Sequence, residues 1–146
     1  MCLQKIKLFP LKIINSEKGN IRHVLRYDQD GFSGFSEAYI SEIKPLEIKG
    51  WVLHKNKSSN FIVVKGHVKF VFLDSENPHK FIVHELSSSE EKSHLYSRLS
   101  VEPNVWFAFQ GLHSKVSRVL NLSNILHSET LSIRKDLDSF NYSWDR

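Results

Sequence analysis

Apolar and polar residues alternate along most of this chain, and turn-forming residues interrupt the alternation at short intervals. Runs rich in Val, Ile, Phe and Tyr lie between clusters of Gly, Asn, Asp, Ser and Pro. This pattern is typical of an all-β sandwich or barrel. It predicts about ten strands, near residues 5–14, 20–26, 34–43, 47–54, 60–65, 67–74, 79–86, 94–100, 105–110 and 115–122.

The segments between these strands predict turns and very little helix. Residues 65–67 (Lys-Gly-His) separate two β-prone runs and predict a tight hairpin. Residues 74–79 and 102–104 each contain a proline and predict two further turns. Residues 87–92 carry the polar pattern of one helical turn, whereas residues 128–137 fit either a short helix or an extended tail.

Strand alternation also predicts which side chains face a common cavity. A sheet that curls on itself buries one face of every strand and leaves a pocket at the open end of the barrel. The faces that fit a single mostly apolar pocket contain Val52, His54, Asn60, Phe107, Phe109 and Asn121. The opposite face carries Trp51 and Trp106, which we expect between the two sheets or at a dimer interface.

Composition limits the classes of protein to which the chain can belong. The 146 residues include 40% apolar and 25% charged residues, a balance typical of one globular domain. The net charge of +4 is too small to indicate a dedicated nucleic-acid binder. A single cysteine, Cys2, excludes an internal disulfide and multi-cysteine metal sites. No segment is apolar enough to predict a membrane span, so we expect a cytoplasmic protein without a membrane partner.

Several short motifs resemble one known family when they are taken together in order. The first block is Gly50–Lys55 followed by Asn60–Gly66, and the second is Glu102–Leu112. These blocks resemble the two conserved motifs of the cupin superfamily. Residues 21–26, 34–39 and the ending DSFNYSW make the chain similar to the dTDP-4-dehydrorhamnose 3,5-epimerase (RmlC-like) group of sugar-nucleotide epimerases and isomerases. The resemblance covers residues 19–146.

This resemblance implies a fold and a biological setting. It implies one jelly-roll cupin domain, a double-stranded β-helix, over residues 1–146 that forms a homodimer in the cytoplasm. Residues 1–18 would supply an N-terminal strand at the dimer interface, and residues 128–146 would form a C-terminal tail. Members of the group act on nucleotide-linked sugars for lipopolysaccharide or capsule, so the implied ligand is a nucleotide sugar.

The family motifs also indicate which positions carry chemistry, and this chain departs from them. In metal-binding cupins three or four side chains hold the ion, and only His54 remains of that set. The resemblance therefore implies no bound metal and no other cofactor. The epimerases use two histidines, whose positions are occupied here by Val52 and Phe107, and neither side chain can transfer a proton. Asn121 falls near the family's tyrosine.

The remaining candidate residues follow from their place near His54. His54 is the expected base, and the other seven histidines are expected at turns or strand edges. Glu37 and Tyr39 lie on one face of a strand expected beside His54, where they would act as orienting carboxylate and acid. Lys49 falls where the family has a phosphate-binding Arg. Further substrate contacts are expected from Arg98, Asn60, Asn121, Phe107 and Phe109.

Two functions remain open from these residues. The first is an epimerase or isomerase that removes a proton beside the carbonyl of a nucleotide-linked 4-keto sugar without a metal. The second is a catalytically silent cupin that binds a sugar nucleotide or assists a partner enzyme, which the residues Val52 and Phe107 favour. A structural or interaction domain that binds no small molecule is a third interpretation.

Overall fold

The computed structural model describes residues 5–74, 76–77 and 79–146. In this part of the chain we number the strands β1 to β12 in sequence order. Their bounds are Ile6–Pro10, Ile13–Ile14, Ile21–Arg22, Glu37–Ile43, Ile48–His54, Ser59–Lys65, His67–Leu73, Phe81–Ser87, Ser97–Val101, Trp106–Gly111, Ser117–Ser123 and Ser132–Arg134. The elements of the described part also include three short 3₁₀ segments, Glu90–Leu95, His127–Glu129 and Leu137–Ser139.

Ten of the strands form two antiparallel five-stranded sheets. The first sheet has the order β1-β9-β6-β11-β4, and the second has the order β12-β5-β10-β7-β8. Strands β2 and β3 form a separate two-stranded ribbon. Apart from β7 and β8, neighbouring strands in both sheets are not consecutive in the sequence, as in the double-stranded β-helix of a jelly roll. The prediction of an all-β jelly roll with little helix is therefore confirmed.

The main core lies between the two sheets and is built from every second residue of the central strands. Phe61 and Val63 of β6 face Phe70 and Phe72 of β7, and all four side chains are buried. Phe107 of β10 packs between them, with its ring centroid 5.6 Å from that of Phe61 and 5.9 Å from that of Phe72. Alternation along each strand thus produces the aromatic layer that joins the sheets.

The turn at Gly66 has a different role from the one predicted. Residues 65–67 do form a tight turn, with φ of 93° at Gly66, but β6 and β7 belong to different sheets. The hairpin prediction was therefore wrong, and the turn is a corner at which the chain crosses from one sheet to the other. A Cβ atom on Gly66 would lie 2.3 Å from Ser117 Oγ, so only glycine fits this corner.

The other predicted turns and strand bounds agree with the structure only in part. Residues 102–104 form a second corner between the sheets, and Asn104 has a φ of 67° there. The turn over residues 74–79 joins β7 to β8 as a hairpin, although residues 75 and 78 lie outside the described part. The predicted strand 5–14 divides into β1 and β2, and the predicted strand 20–26 shortens to β3. Residues 128–137 are mainly extended and contribute β12.

The C-terminal tail, residues 137–146, covers the outer face of the second sheet. Trp51 is fully buried there, and its ring packs against Phe140 and Trp144 at centroid distances of 5.2 and 5.7 Å. Trp106 contacts Phe140 in the same layer. The two tryptophans therefore lie on the predicted face, but they pack under the chain's own tail and not between the sheets.

No helix in the described part of the chain has the length and apolar character needed to cross a membrane.

Candidate functional site

A cavity of about 150 Å³ opens between the two sheets at one end of the barrel. It has room for a group the size of a sugar ring, whereas a larger ligand would extend through the opening. Apolar and polar side chains both contribute to its lining. The lining consists of Tyr39, Ser41, Lys49, Gly50, Val52, His54, Lys57, Phe61, Phe107, Phe109, Val119, Asn121, His127 and Arg134.

His54 lies at the end of β5 with its imidazole half-buried in the cavity wall. Its Nδ1 atom is 2.7 Å from Ser132 Oγ, and its ring stands against Phe107 at a centroid distance of 5.9 Å. Burial, together with the positive charges of Lys57, Arg134 and His127, lowers the pKa of His54 to about 4. The imidazole is therefore neutral near pH 7 and has a ring nitrogen, Nε2, free of Ser132.

Strand β12 completes this part of the site. It pairs with β5 in an antiparallel register that sets Ser132 opposite His54 and Arg134 opposite Val52. Side chains directly opposite each other in such a pair share one face of the sheet. The register therefore places Ser132 within hydrogen-bonding distance of His54 and brings the cationic side chain of Arg134 to the cavity.

The facing wall carries a group of three polar side chains centred on Tyr39. Tyr39 of β4 is directly opposite Asn121 of β11 in the first sheet. The Nδ2 atom of Asn121 donates to the Tyr39 hydroxyl oxygen over 2.7 Å, and Lys57 Nζ donates to the same oxygen over 3.1 Å. We call Tyr39, Lys57 and Asn121 the tyrosine triad. It lies across the cavity from His54, because His54 belongs to the second sheet.

Lys49 reaches the cavity because β5 contains a bulge. Ala108 pairs with Gly50 and Phe107 pairs with Val52, so Trp51 has no partner on β10. One extra residue reverses the alternation, and Lys49, Val52 and His54 all lie on the cavity side. Lys49 Nζ donates to Ser41 Oγ over 3.0 Å. Simple alternation had placed Lys49 on the face opposite His54.

Several predicted site residues therefore come together in the cavity. His54, Tyr39, Lys49, Phe107, Phe109 and Asn121 all line it, and Val52 lies beside them.

Asn60 and Arg98 lie elsewhere, on the outer face of the first sheet. Arg98 is 1% exposed, and its Nη1 donates to Asn60 Oδ1 over 2.6 Å. Arg98 Nη2 donates to the carbonyl oxygen of Asp30, and Asn60 Nδ2 donates to that of Gly31. This pair holds the loop at residues 30–31 against the sheet. Phe61, the residue after Asn60, lines the cavity instead of Asn60.

Glu37 lies at the edge of the cavity opening but does not contact the imidazole of His54. Its Oε2 accepts a hydrogen bond of 3.1 Å from the backbone N–H of His127, an exposed residue that lines the opening. The partner of His54 in the expected orienting position is Ser132. Glu37 therefore fixes the backbone at the opening.

Sequence reasoning did not identify the four polar residues that act on His54, namely Lys57, His127, Ser132 and Arg134. Lys57 lies in the turn between β5 and β6, where a lysine usually indicates a solvated loop. The other three lie beyond the last strand that alternation predicted. The one available signal was the alternation of Ser132, Ile133 and Arg134, which is too short to indicate a strand.

The lining is strongly positive. Three cationic side chains, Lys49, Lys57 and Arg134, reach the cavity, and its described lining residues include no carboxylate. Such a pocket favours an anionic ligand. Within the described residues, no group of three or more His, Cys, Asp or Glu side chains is arranged to hold a metal ion.

Comparison with solved structures reveals close similarity to one group of enzymes. The dTDP sugar isomerase from Desulfovibrio desulfuricans G20 is 29% identical, with a TM-score of 0.84 over 95% of this chain and 90% of that one. Other similar structures include a 3,4-ketoisomerase and a 3,5-epimerase. The predicted resemblance to the RmlC-like sugar-nucleotide epimerases and isomerases is thereby confirmed. No family model and no curated protein sequence matches the chain.

These two structures share the fold at lower identity. The 3,4-ketoisomerase QdtA from Thermoanaerobacterium thermosaccharolyticum, a variant solved with TDP-4-keto-6-deoxyglucose, is 19% identical with a TM-score of 0.72 over 90% of this chain and 88% of that one. The dTDP-4-dehydrorhamnose 3,5-epimerase from Elizabethkingia anophelis NUHP1 is 15% identical with a TM-score of 0.74, over 98% and 82%. At identities this low, the similarity shows a shared fold but not a shared activity.

Proposed function

We propose that this protein is an epimerase or isomerase that acts on a nucleotide-linked 4-keto sugar by removing a proton beside the carbonyl. The observation that carries the proposal is that His54, whose imidazole is neutral near pH 7, and the Tyr39 hydroxyl line one cationic cavity of sugar-ring size. The similarity to a dTDP sugar isomerase over nearly the whole of both chains supports the same activity.

The lining suits each part of such a ligand. Lys49 and Arg134 lie near the cavity opening in the second sheet and supply positive charge for a diphosphate. Phe107 and Phe109 give an apolar surface against which the sugar ring can pack. A nucleoside group would then extend out of the cavity, which is too small for it.

Proton transfer would use the free nitrogen of His54. The C–H bond beside the carbonyl breaks, the proton moves to Nε2, and the bonding electrons form an enolate whose charge resides on the former carbonyl oxygen. Ser132 holds the other ring nitrogen and fixes the orientation of the imidazole. Because a pKa near 4 makes a weak base, we expect the diphosphate to assist by neutralising nearby cations.

A single base favours isomerisation over double epimerisation. Val52 lies on the same cavity wall as His54 and cannot transfer protons, and neither can Phe107. His54 alone can remove a proton from one carbon and return it to the neighbouring carbon on the same face of the ring. Together with transfer of the C3 hydroxyl proton to the former carbonyl oxygen at C4, this movement shifts the ketone from C4 to C3, whereas inversion at two carbons needs an acid on the opposite face.

A catalytically silent cupin that binds a sugar nucleotide is the second candidate. The apolar residues at the positions of both family histidines favour it, as does the low pKa of His54. In this case the cavity would bind the ligand without changing it.

Incubation with dTDP-4-keto-6-deoxyglucose in deuterated water separates the two candidates. An isomerase places deuterium at C3 or C4, an epimerase at C3 or C5, and His54→Ala abolishes the incorporation. His79→Ala, a change at an exposed histidine, serves as the matched control and should retain it. Thermal stabilisation by the ligand, with neither deuterium incorporation at any carbon nor conversion to an isomeric keto sugar, would favour the silent cupin.

The wider setting belongs to the same proposal. We propose one cupin domain over residues 1–146, a homodimer in which residues 1–18 reach the interface, and a cytoplasmic role in lipopolysaccharide or capsule synthesis. These statements follow from the family resemblance.

A further inference from the structure

Lys57 is a buried cation on the wall of the cavity. Its side chain is 2% exposed, and among the described residues no carboxylate oxygen lies within 4 Å of its Nζ atom. Its hydrogen bond goes to the Tyr39 hydroxyl, and Nζ also lies 5.2 Å from the centre of the Tyr39 ring. Burying an ammonium group with so little compensation is costly, so a purely structural lysine at this place would be unfavourable.

The hydroxyl of Tyr39 is held in one orientation by its two donors. Lys57 Nζ and Asn121 Nδ2 both donate to its oxygen, at 3.1 and 2.7 Å. A phenol oxygen accepts hydrogen bonds through its lone pairs and donates one proton. With both donors in place, the O–H bond must point away from them. Tyr39 lines the cavity, so the remaining direction leads into it.

Asn121 is itself fixed in place. Its backbone lies in the middle of the first sheet, between Tyr39 of β4 and Phe61 of β6. Lys57 reaches the same oxygen from the turn that follows His54. The tyrosine triad therefore joins three separate segments of the chain at a single oxygen atom.

We propose that Lys57 is a positioning residue that keeps the Tyr39 hydroxyl aimed, as a hydrogen-bond donor, at the carbonyl oxygen of the bound keto sugar. This inference rests on the proposed function and adds a residue to its machinery. When the C–H bond breaks and the proton moves to His54, negative charge collects on the carbonyl oxygen. Tyr39 donates to that oxygen, and the positive charge of Lys57, one hydrogen bond behind, stabilises it.

Binding measurements test the inference without requiring turnover. We would measure the Kd of dTDP and of dTDP-4-keto-6-deoxyglucose for the whole protein and for Lys57→Met and Tyr39→Phe. Each substitution should change dTDP affinity by less than about twofold, because the triad does not contact the nucleotide. Each should weaken the preference for the keto sugar over dTDP by roughly tenfold or more, since a charge-assisted hydrogen bond is lost.

Kinetics supply a second and independent readout. Lys57→Met should lower kcat by roughly 10- to 100-fold with a smaller change in KM, because the charge on the oxygen is greatest in the transition state. The double variant Lys57→Met/Tyr39→Phe should be no slower than Tyr39→Phe alone. Lys57→Arg retains the charge and should recover part of kcat.

The control is Lys55→Met, which removes an exposed lysine two residues away in the same turn and should behave as the wild type. If Lys57→Met does not fold by circular dichroism, Lys57→Gln replaces it. A wild-type kcat and keto-sugar preference in a folded Lys57 variant would overturn the inference, and so would multiplicative losses in the double variant. Failure of the wild type to bind dTDP would instead overturn the proposed function.

Discussion

His54 shows how the surroundings of one side chain set its chemistry. The same imidazole at the surface would have a pKa of 6.5, whereas burial and three neighbouring cationic side chains bring it to about 4. It is therefore neutral over the whole physiological range and able to accept a proton. Its Nδ1 atom is fixed by Ser132, a residue 78 positions later in the chain.

The pH profile should report this low pKa. We expect kcat/KM to remain level as the pH falls through 6.5 and to decline only near pH 4, where His54 becomes protonated in the free protein. Arg134→Gln removes one of the cations and should move this acidic limb upward, toward the ordinary histidine value. Lys18→Gln, at an exposed loop position, is the control and should leave the limb in place.

The pH at which kcat/KM declines is the quantity to compare, because Arg134→Gln also weakens substrate binding and so lowers kcat/KM at every pH. A decline of the wild-type kcat/KM near pH 6.5 would contradict the low pKa of His54.

The lowered pKa of His54 also affects the stability of the fold. Between about pH 6.5 and pH 4 the unfolded chain binds the proton and the folded protein does not, so His54 makes the fold less stable as the pH falls through this range.

At the scale of single elements, the bulge in β5 decides which side chains reach the site. Gly50 and Trp51 are the residues of the bulge, and Gly50 has a φ of 137°. A Cβ atom at Gly50 would lie 2.4 Å from Ala108 Cβ and 2.7 Å from its Cα. Close contact between β5 and β10 therefore requires glycine here, and the bulge brings Lys49 and His54 to one face.

Gly50→Ala should therefore destabilise the protein more than an alanine at another glycine with a positive φ. Gly19 has a φ of 129°, and its Cβ position is free of any atom within 4 Å. Gly19→Ala should cost only the backbone strain, about 1–3 kcal/mol. Gly50→Ala should cost about 2 kcal/mol more because a methyl group overlaps β10. Urea unfolding of both variants measures the difference, and equal losses would refute the role of this close contact.

At the scale of the whole molecule, the C-terminal tail connects the outer layer to the site. Trp51 exchanges backbone hydrogen bonds with Lys135, and its Nε1 donates to the carbonyl oxygen of Leu137. Lys69, buried beneath the tail, is paired with Asp145 and lies 5.6 Å from the centre of the Trp144 ring. Burial opposes the charge of Lys69, but its hydrogen bonds to Asp145 and Tyr142 outweigh this effect and raise its pKa. The tail thus anchors β12, which carries Ser132 and Arg134.

Trp144→Ala should loosen this layer. We expect the free energy of unfolding to fall by about 2 kcal/mol, because a large partly buried ring is lost from its contacts with Trp51 and Tyr142. We also expect a lower kcat, because β12 would be held less firmly. Ser143→Ala, an exposed neighbour in the same tail, is the control. Equal stability and kcat in the two variants would mean that the tail does not support the site.

Local sequence signals predicted the strands and most of the faces. Val52, His54, Phe107 and Phe109 follow the alternation that any half-buried strand imposes, so their place in the cavity could be predicted without a structure. The same rule failed at Asn60, where the cavity side belongs to Phe61. It also failed at Lys49, because a bulge reverses the alternation and arises from contact between two strands.

Alternation within single strands was enough to predict an all-β sandwich or barrel, its aromatic interior and the place of His54 on the cavity face. The jelly-roll topology was implied by the family resemblance and not by alternation. Which distant residues contact His54 and Tyr39 depends on how the strands and turns pack together. Ser132 and Arg134 arrive through the pairing of β12 with β5, and Lys57 through a turn. Such contacts depend on sheet order and register, which the packing of the whole molecule sets. No local sequence pattern predicts them.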